Sequence, residues 1–255
     1  MLCLAHTVTA LSGKSIIVTG GSRGIGRAIA KSCALHGAIV GVNYLQSDGP
    51  AETLRERFPE NVELLRFDVG DHVAVKRVML GFIERHQGLD ALVNNAGILL
   101  PHLLISQRDL TSAAKELRVN TLGTMNCTHI ALPTMVKNKQ GIIINISSSA
   151  VCQPAPGQAS YAASKAAVEA FSRAIAIEYG SRNVRCICLR LGPVETDMLR
   201  NAVGDDGMTT KMPEHTLLKR LSAPTEIADI VRMLLSGPNA LATGSILDFT
   251  AGYSL

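Results

Sequence analysis

The chain has 255 residues, of which 47% are hydrophobic and 18% are charged. This composition can fill a sizeable core and argues against an intrinsically disordered chain. The net charge of +4 comes without a block of like charges, which argues against a nucleic-acid-binding protein and slightly favours phosphate-bearing ligands.

The N-terminal segment MLCLAHTVTALSGK has neither a basic stretch nor a long apolar run. We therefore expect no signal peptide and regard residues 1–10 as an N-terminal extension. No apolar stretch reaches the length of a membrane span, so we expect no membrane contact. The six cysteines lack the spacing of metal ligands, which predicts no metal site and a reduced, cytoplasmic protein.

Apolar β-rich runs alternate with helical patterns over residues 11–255, and this alternation predicts one α/β domain. The predicted strands are Ser15–Thr19, Ala38–Asn43, Val62–Phe67, Ala91–Asn94, Gly141–Ile146, Val184–Arg190 and Ser245–Phe249. The predicted helices are Ile25–His36, Ala51–Phe58, Val73–His86, Arg108–Lys137, Ala162–Tyr179 and Thr225–Ser236. Most strand patterns are continuous apolar runs, which are typical of a parallel sheet with helices on both faces. One long irregular stretch, Gly192–Leu221, is interpreted as a substrate lid or a disordered loop.

The first strand is followed by TGGSRGIG, in which Gly20, Gly24 and Gly26 open the first helix. Glycine permits a tight turn and a close approach of phosphate, and the helix N-terminus offers free N–H groups. Arg27 and Ala28 follow where a nucleoside-triphosphate loop needs Lys and Ser/Thr. The stretch therefore predicts a dinucleotide pyrophosphate site.

The end of the second strand bears on the choice between the two nicotinamide dinucleotides. NAD sites place an acidic residue there, but this chain has Asn43, and Asp48 lies further on in the loop. Arg23 in the glycine-rich turn could pair with a 2′-phosphate. We expect NADP(H), while NAD(H) remains open if Arg23 is only solvated and Asp48 approaches the ribose.

The stretch NISSSAVCQPAPGQASYAASK carries candidate catalytic groups. Tyr161 and Lys165 are four residues apart and so share one helix face. A nearby ammonium group is expected to lower the pKa of a tyrosine, whose phenol then serves as acid in reduction and its phenolate as base in oxidation. A serine hydroxyl near the same substrate oxygen would polarise it.

These motifs together resemble the short-chain dehydrogenase/reductase family. TGGSRGIG is similar to its cofactor turn, NNAG at 94–97 to its central-strand motif, and VN ending at Asn120 to its helix asparagine. Ser148 precedes Tyr161 by the usual spacing, and YAASK matches Tyr-x-x-x-Lys. The likeness runs from Leu11 to Tyr253. It implies a doubly wound Rossmann-type domain with a seven-stranded parallel sheet.

The resemblance also implies four catalytic residues. Tyr161 would transfer the proton, Lys165 would bind the nicotinamide ribose and tune Tyr161, Ser148 would hold the substrate oxygen, and Asn120 would bind a relay water. Strand alternation favours Ser148 over its two serine neighbours. The expected cofactor contacts are Gly20, Ser22, Arg23, Gly24, Ile25, Gly26, Asn43, Tyr44, Asp68, Val69, Asn94, Ala96, Gly97, Tyr161, Lys165, Gly192, Val194 and Thr196. For Asn94, simple support of the sheet remains an equal alternative.

Two stretches depart from the family pattern. In RLGPVETDM, Leu191 replaces the usual proline and Pro193 follows Gly192, so this turn has one N–H fewer to donate. In DFTAGYSL, Thr250 and Ala251 replace the usual Asp-Gly. The family often uses this end for subunit contacts, and the resemblance implies a homotetramer or homodimer.

Within the family, the sequence looks most like the 3-oxoacyl-[acyl-carrier-protein] reductases. That resemblance implies NADPH-dependent reduction of a ketone or β-ketoacyl thioester, with an acyl carrier protein as a partner. The basic residues Lys137, Lys139, Arg173 and Arg182 are either a docking patch near the active-site mouth or ordinary solvated charge. Two alternatives remain open: an NAD-dependent alcohol or sugar dehydrogenase, and a catalytically silent redox sensor.

Overall fold

Seven parallel strands form one sheet in the computed structural model, which describes residues 10–237 and 240–253. The predicted extension, residues 1–10, therefore lies outside the described residues except for Ala10. The sheet order is β3-β2-β1-β4-β5-β6-β7. The strands are β1 Ser15–Val18, β2 Ile39–Tyr44, β3 Val62–Arg66, β4 Ala91–Asn94, β5 Gly141–Ser148, β6 Val184–Leu191 and β7 Ile246–Phe249. The predicted seven-stranded parallel sheet is confirmed.

Helices connect the strands and cover both faces of the sheet. They are α1 Gly24–Leu35, α2 Asp48–Arg57, α3 His72–Arg85, α4 Leu110–Glu116, α5 Gly123–Lys137, α6 Ala159–Tyr179, α7 Asp197–Asp206, α8 Met212–Glu214 and α9 Pro224–Ser236. The single helix predicted over Arg108–Lys137 is instead interrupted by a π-helical stretch, Leu117–Leu122, between α4 and α5. Interruptions of this kind often occur at functional sites.

The interpretation of Gly192–Leu221 as irregular is wrong for its central part. α7, a π-helical stretch at Gly207–Lys211 and α8 follow one another there. The Thr196 hydroxyl accepts a hydrogen bond from the Leu199 amide and so caps the start of α7. Gly204 has φ +72° and ψ 175° within α7, a kink that glycine allows. This kink interrupts the helical periodicity of the sequence.

The continuous apolar strands bury both of their faces. In β1, Ile16 and Val18 join a core that includes Ile29 of α1 and Val231 of α9. Ile17 points the other way, into a second core around α3, α5 and α6. Because side chains alternate along a strand, each strand must be apolar at nearly every position to serve two cores.

The order of the strands sets the location of a ligand site. β1 to β3 extend the sheet in one direction, and β4 to β7 extend it in the other, so β1 and β4 are neighbours in the middle. The chain therefore leaves β1 and β4 in opposite directions, which opens a crevice between the two loops at the carboxyl edge of the sheet. The glycine-rich turn after β1 and the NNAG stretch after β4 both border this crevice.

Other expectations concern metals, disulfides and membranes. Within the described ranges, no helix is long and apolar enough to cross a membrane, and no group of three potential metal-ligating side chains lies together. Cys33, Cys127, Cys152, Cys186 and Cys188 are free thiols, while Cys3 lies outside the described residues.

The packing of the second core can be tested by a substitution of Phe82 in α3. Its side chain is completely buried, so Phe82→Ala should lower the free energy of unfolding by about 3–5 kcal/mol through lost burial and a new cavity. Val73→Ala on the same helix is the control. Val73 is 75% exposed, and its truncation should change stability by less than about 0.5 kcal/mol. Urea unfolding measures both, and equal effects would contradict this packing.

Candidate active site

One cavity of about 470 Å³ lies at the carboxyl edge of the sheet, within the size range of ligand sites. All of the predicted cofactor residues line it except Gly26 and Asn94. Of the four predicted catalytic residues, Ser148, Tyr161 and Lys165 line it, whereas Asn120 lies behind its wall. The fold thus brings together groups that are widely separated in the sequence.

The glycine-rich turn takes a conformation that other residues rarely adopt. Gly20 has φ +62° and Gly24 has φ +53°. Gly26 does not face the cavity, because a Cβ there would lie 2.2 Å from the Gly20 carbonyl oxygen. The prediction that Gly26 contacts a cofactor is therefore replaced by a packing role: its bare backbone lets α1 approach the turn closely.

A hydrogen-bond network holds the turn against the loop after β4. The Thr19 hydroxyl accepts bonds from the backbone amides of Asn95 and Ala96, each at 3.0 Å. The Asn95 side-chain amide donates to the carbonyls of Thr19 at 2.9 Å and Gly20 at 3.2 Å. Asn95 was missed as a site residue in the sequence, although it belongs to the NNAG motif.

The end of β2 has no free acidic group facing the cavity. Asn43 lines the cavity, but its side chain accepts from the Gly20 amide and donates to the carbonyls of Leu65 and Phe67. Its polar atoms therefore support the turn. Asp48 does not line the cavity and pairs with Arg66 at 3.7 Å.

Arg23 is exposed and lines the cavity at this end. Tyr44 follows Asn43 along the same wall. The end of β2 therefore adds no carboxylate to the cavity beside the Arg23 guanidinium group, which suits a phosphate group.

The loop after β3 forms the neighbouring wall. Asp68 accepts a hydrogen bond from the Gly70 amide at 2.8 Å and pairs with Arg118 at 2.8 Å. Val69 and Arg118 also line the cavity. Arg118 precedes Asn120 in the π-helical stretch, so the break between α4 and α5 brings a basic side chain to Asp68. The sequence pattern carries no signal for this ion pair.

Ser148 and Tyr161 both line the cavity. Ser147 points away, and its hydroxyl donates to Glu169 at 2.8 Å. Burial raises the pKa of Tyr161 above its ordinary value, while the nearby Ser148 hydroxyl lowers it and Glu116 raises it. The net increase differs from the decrease expected from Lys165 alone, because removing a phenolate from water outweighs the other effects.

Lys165 is 5% exposed, and its ammonium group donates to the Ile146 carbonyl at 2.9 Å. The nitrogen lies 5.9 Å from the centre of the Tyr161 ring. A Cβ on Gly97 would come within 3.4 Å of it, so the glycine of NNAG leaves room for the cation. Burial lowers the pKa of Lys165 from 10.5 to about 8.

Asn120 connects the loop after β4 to α6. Its Oδ1 accepts from the Ile98 amide at 2.8 Å, and its Nδ2 donates to the Ile98 carbonyl and the Ser164 hydroxyl, both at 3.0 Å. Both side-chain N–H donors are thus used within the protein. Any water bound to this side chain would have to donate to the remaining lone pair of Oδ1.

Asn94 supports the sheet instead of facing the cavity. Its Nδ2 donates to the Thr128 hydroxyl at 3.0 Å and to Asn145 Oδ1 at 2.8 Å. Asn94 is buried. Support of the sheet, which the sequence left open as an alternative to cofactor binding, is therefore the role that its hydrogen bonds show.

The opposite wall comes from the segment after β6. Gly192, Pro193, Val194 and Thr196 line the cavity. A Cβ on Gly192 would lie 2.5 Å from the carbonyl oxygen of Thr250, so this glycine permits the close approach of the C-terminal segment. Apart from Asp197, the residues of α7 and α8 that line the cavity are apolar. They are Met198, Leu199, Ala202, Val203 and Met212.

The basic residues predicted to dock a partner do not surround the cavity. Lys139 precedes the start of β5, Arg182 precedes the start of β6, and the Asn183 side chain donates to the Lys139 carbonyl at 2.8 Å. Ser148 lies at the other end of β5, an eight-residue strand with a length of about 25 Å. A patch at the active-site mouth is therefore wrong for Lys139 and Arg182, because they lie at the amino edge of a parallel sheet.

Comparisons with known proteins agree with this geometry. A family model described as Enoyl-(Acyl carrier protein) reductase matches residues 20–254. The 3-oxoacyl-[acyl-carrier-protein] reductase FabG of Chlamydia trachomatis is 36% identical over 249 residues, which cover 95% of this chain and 98% of the relative. The same-named protein of Chlamydia muridarum is 34% identical over 247 residues, with 95% and 98% covered.

A solved structure is also similar. It is a short-chain dehydrogenase from Burkholderia cenocepacia in complex with NADP. The two chains are 28% identical, the TM-score is 0.88, and the match covers 97% of this chain and 100% of the other.

The lowered pKa of Lys165 predicts that the stability of the protein depends on pH. Its pKa is about 8 in the folded protein and ordinarily 10.5, so below pH 8 folding must bury a charged ammonium group. Lys165→Met should raise the free energy of unfolding at pH 7 by about 1–3 kcal/mol. This advantage should shrink as the pH rises from about 8 to 10.5, because there the folded wild-type protein has already lost the proton that its unfolded chain retains. Denaturant unfolding at pH 7 and pH 10 measures the difference, and a pH-independent effect would contradict it.

Proposed function

Because the chain belongs to the short-chain dehydrogenase/reductase family, oxidoreductases that act on CH–OH and C=O groups, we propose that it reduces a β-ketoacyl thioester or related ketone with NADPH. The observation that carries this proposal is that Ser148, Tyr161 and the buried Lys165 line one cavity, with the Lys165 ammonium nitrogen 5.9 Å from the centre of the Tyr161 ring. Two hydroxyl groups that line one cavity suit a single carbonyl oxygen.

The chemistry divides between cofactor and protein. NADPH supplies the hydride when bound. Ser148 orients and polarises the substrate carbonyl oxygen, and Tyr161 donates a proton to that oxygen. Lys165, whose ammonium nitrogen lies 5.9 Å from the centre of the Tyr161 ring, would bind the nicotinamide ribose. Asn120 supports this arrangement through the Ile98 loop and Ser164.

The glycine-rich turn, with its positive φ angles, and the open space at Gly97 fit a dinucleotide. Arg23 would pair with a 2′-phosphate, and Asp48 does not line the cavity. The similar Burkholderia structure holds NADP, which supports the same preference here. NAD(H) remains the alternative cofactor.

The apolar wall supports an acyl substrate. Leu99, Met198, Leu199 and Val203 line the cavity and would contact a hydrocarbon chain. The names of the Chlamydia relatives support a thioester carried by an acyl carrier protein. Gly192–Leu221 would act as the lid that excludes water. A homotetramer or homodimer and a cytoplasmic location remain predictions from the resemblance and from the cysteine usage.

The reductase activity can be tested with a substrate panel. We expect NADPH oxidation with acetoacetyl thioesters to exceed that with crotonyl thioesters, quinones or sugars. Tyr161→Phe should lower kcat/KM by about 100-fold or more because the proton donor is lost, while NADPH binding persists. Tyr179→Phe is a matched control. Turnover of crotonyl thioesters alone would indicate an enoyl reductase, and tight cofactor binding without any turnover would indicate a redox sensor.

Arg23 can be tested by measuring cofactor affinity. Arg23→Ala should weaken NADPH binding by about tenfold or more, since a charge-assisted contact is lost, and should change NADH binding by less than about threefold. Arg55→Ala removes an exposed α2 guanidinium group that pairs with Glu52 and should change neither affinity. Fluorescence titration gives both dissociation constants. Tighter binding of NADH than of NADPH by the wild-type protein would overturn the cofactor assignment.

A further inference from the structure

An ion pair lines the cavity at a place that the proposed chemistry does not use. Asp68 lies just after β3, and Arg118 lies in the π-helical stretch between α4 and α5. The Arg118 Nη2 donates to Asp68 Oδ2 at 2.8 Å, and the Gly70 amide donates to Asp68 Oδ1 at 2.8 Å. Both carboxylate oxygens are therefore held in place, while each keeps a lone pair for a ligand.

The backbone at Gly70 makes room for this pair. A Cβ on Gly70 would lie 2.5 Å from Arg118 Nη1 and 2.9 Å from its Cζ, so any larger residue would push the guanidinium group away from Asp68. The Arg118 side chain is 42% exposed and that of Asp68 is 26% exposed. Because both residues line the cavity, the pair forms part of its wall and is accessible to a ligand.

The order of the strands places this pair beside one half of a dinucleotide. The nicotinamide half would lie near Tyr161 and Lys165, whose ammonium group contacts the end of β5. The pyrophosphate would lie at the glycine-rich turn after β1. The adenosine half must then extend in the other direction, over the ends of β2 and β3. Asp68 and Arg118 line the cavity on that side.

A carboxylate at this part of the wall needs a cation beside it. The pyrophosphate makes a dinucleotide an anion, and an unpaired carboxylate in the same cavity would repel it. A paired carboxylate can instead accept a hydrogen bond from the adenosine half without this repulsion. Lys115 lines the same cavity one helical turn earlier, but the cation that donates to Asp68 is Arg118.

We propose that Arg118 is a positioning residue that neutralises and orients Asp68, so that this carboxylate binds the adenosine half of the cofactor instead of repelling its phosphates. This inference rests on the proposed function, in which a nicotinamide dinucleotide supplies the hydride. The role differs from that of Arg23, which would pair with the 2′-phosphate. Arg118 should act on NADPH and NADH alike, because both contain the adenosine and pyrophosphate groups.

Dissociation constants from fluorescence titration test this role without turnover. Arg118→Met should weaken the binding of NADPH and of NADH by about tenfold or more each, because Asp68 is left unpaired. Arg118→Lys should restore part of the affinity. Lys115→Met removes a cation from the same helical face and should weaken binding by less than about threefold. Equal losses in Arg118→Met and Lys115→Met, or a loss in Arg118→Met that spares NADH, would overturn the proposal.

The double variant Asp68→Asn/Arg118→Met separates neutralisation from other effects. Asparagine keeps an oxygen acceptor but carries no charge, so it needs no cation beside it. The double variant should therefore bind NADPH at least about threefold more tightly than Arg118→Met alone. If removing the Asp68 charge gives no such gain, Arg118 does not act by neutralising it.

Two further measurements locate the effect. Gly70→Ala displaces the guanidinium group without removing it, and should weaken NADPH and NADH binding by similar factors that are smaller than those of Arg118→Met. Adenosine 2′,5′-bisphosphate lacks the nicotinamide half, and calorimetry should show that Arg118→Met weakens its binding about as much as that of NADPH. An unchanged affinity for this fragment would place Arg118 at the wrong half of the cofactor.

Binding and turnover together separate this inference from the proposed function. If the variants bind dinucleotides as expected but the wild-type protein reduces no carbonyl substrate, the role of Arg118 stands and the proposed reduction fails. If the wild-type protein reduces ketones but Arg118→Met binds NADPH as tightly as the wild type, the inference is wrong and the proposed function stands. Thermal unfolding without ligand checks that each variant is folded.

Discussion

The buried ammonium group of Lys165 is the constraint on which the candidate site depends. An ammonium group removed from water needs a hydrogen-bond acceptor and space, and three elements provide them. The end of β5 supplies the Ile146 carbonyl at 2.9 Å, Gly97 after β4 leaves the space, and α6 carries the side chain itself. Any shift among these elements would leave a buried cation without its acceptor, so the geometry around Tyr161 is tied to the stability of the fold.

Hydrogen bonds between buried polar side chains also hold the strands and helices of the sheet in fixed relative positions. Asn145 of β5 accepts from Asn94 of β4 and donates to Ser172 of α6, so two central strands and α6 are joined inside the core. On the other side of β1, Asn43 joins β2 and the loop after β3 to the glycine-rich turn. Such networks favour one arrangement of a core, because a displaced member would lose its hydrogen-bond partner in a low-dielectric interior.

The two buried glutamates illustrate two ways in which the protein uses an interior charge. Glu169 is neutralised by Arg190, which also pairs with Asp248 of β7, and this set of charges joins α6 to two strands. Glu116 instead accepts hydrogen bonds from the Leu100 amide and from the Ser160 hydroxyl at the start of α6.

The sequence alone determined the order of strands and helices, the parallel sheet, the glycine-rich turn and the pairing of Tyr161 with Lys165, because these follow from local periodicity and short spacing. The resemblance to a family added Ser148. Tertiary structure alone decided the packing role of Gly26, the supporting roles of Asn43 and Asn94, the helices within Gly192–Leu221 and the burial of Glu116. It also decided that Lys139 and Arg182 lie at the opposite edge of the sheet. These features depend on which distant groups become neighbours, and a buried side chain takes its hydrogen-bond partners and its pKa from those neighbours rather than from its position in the chain.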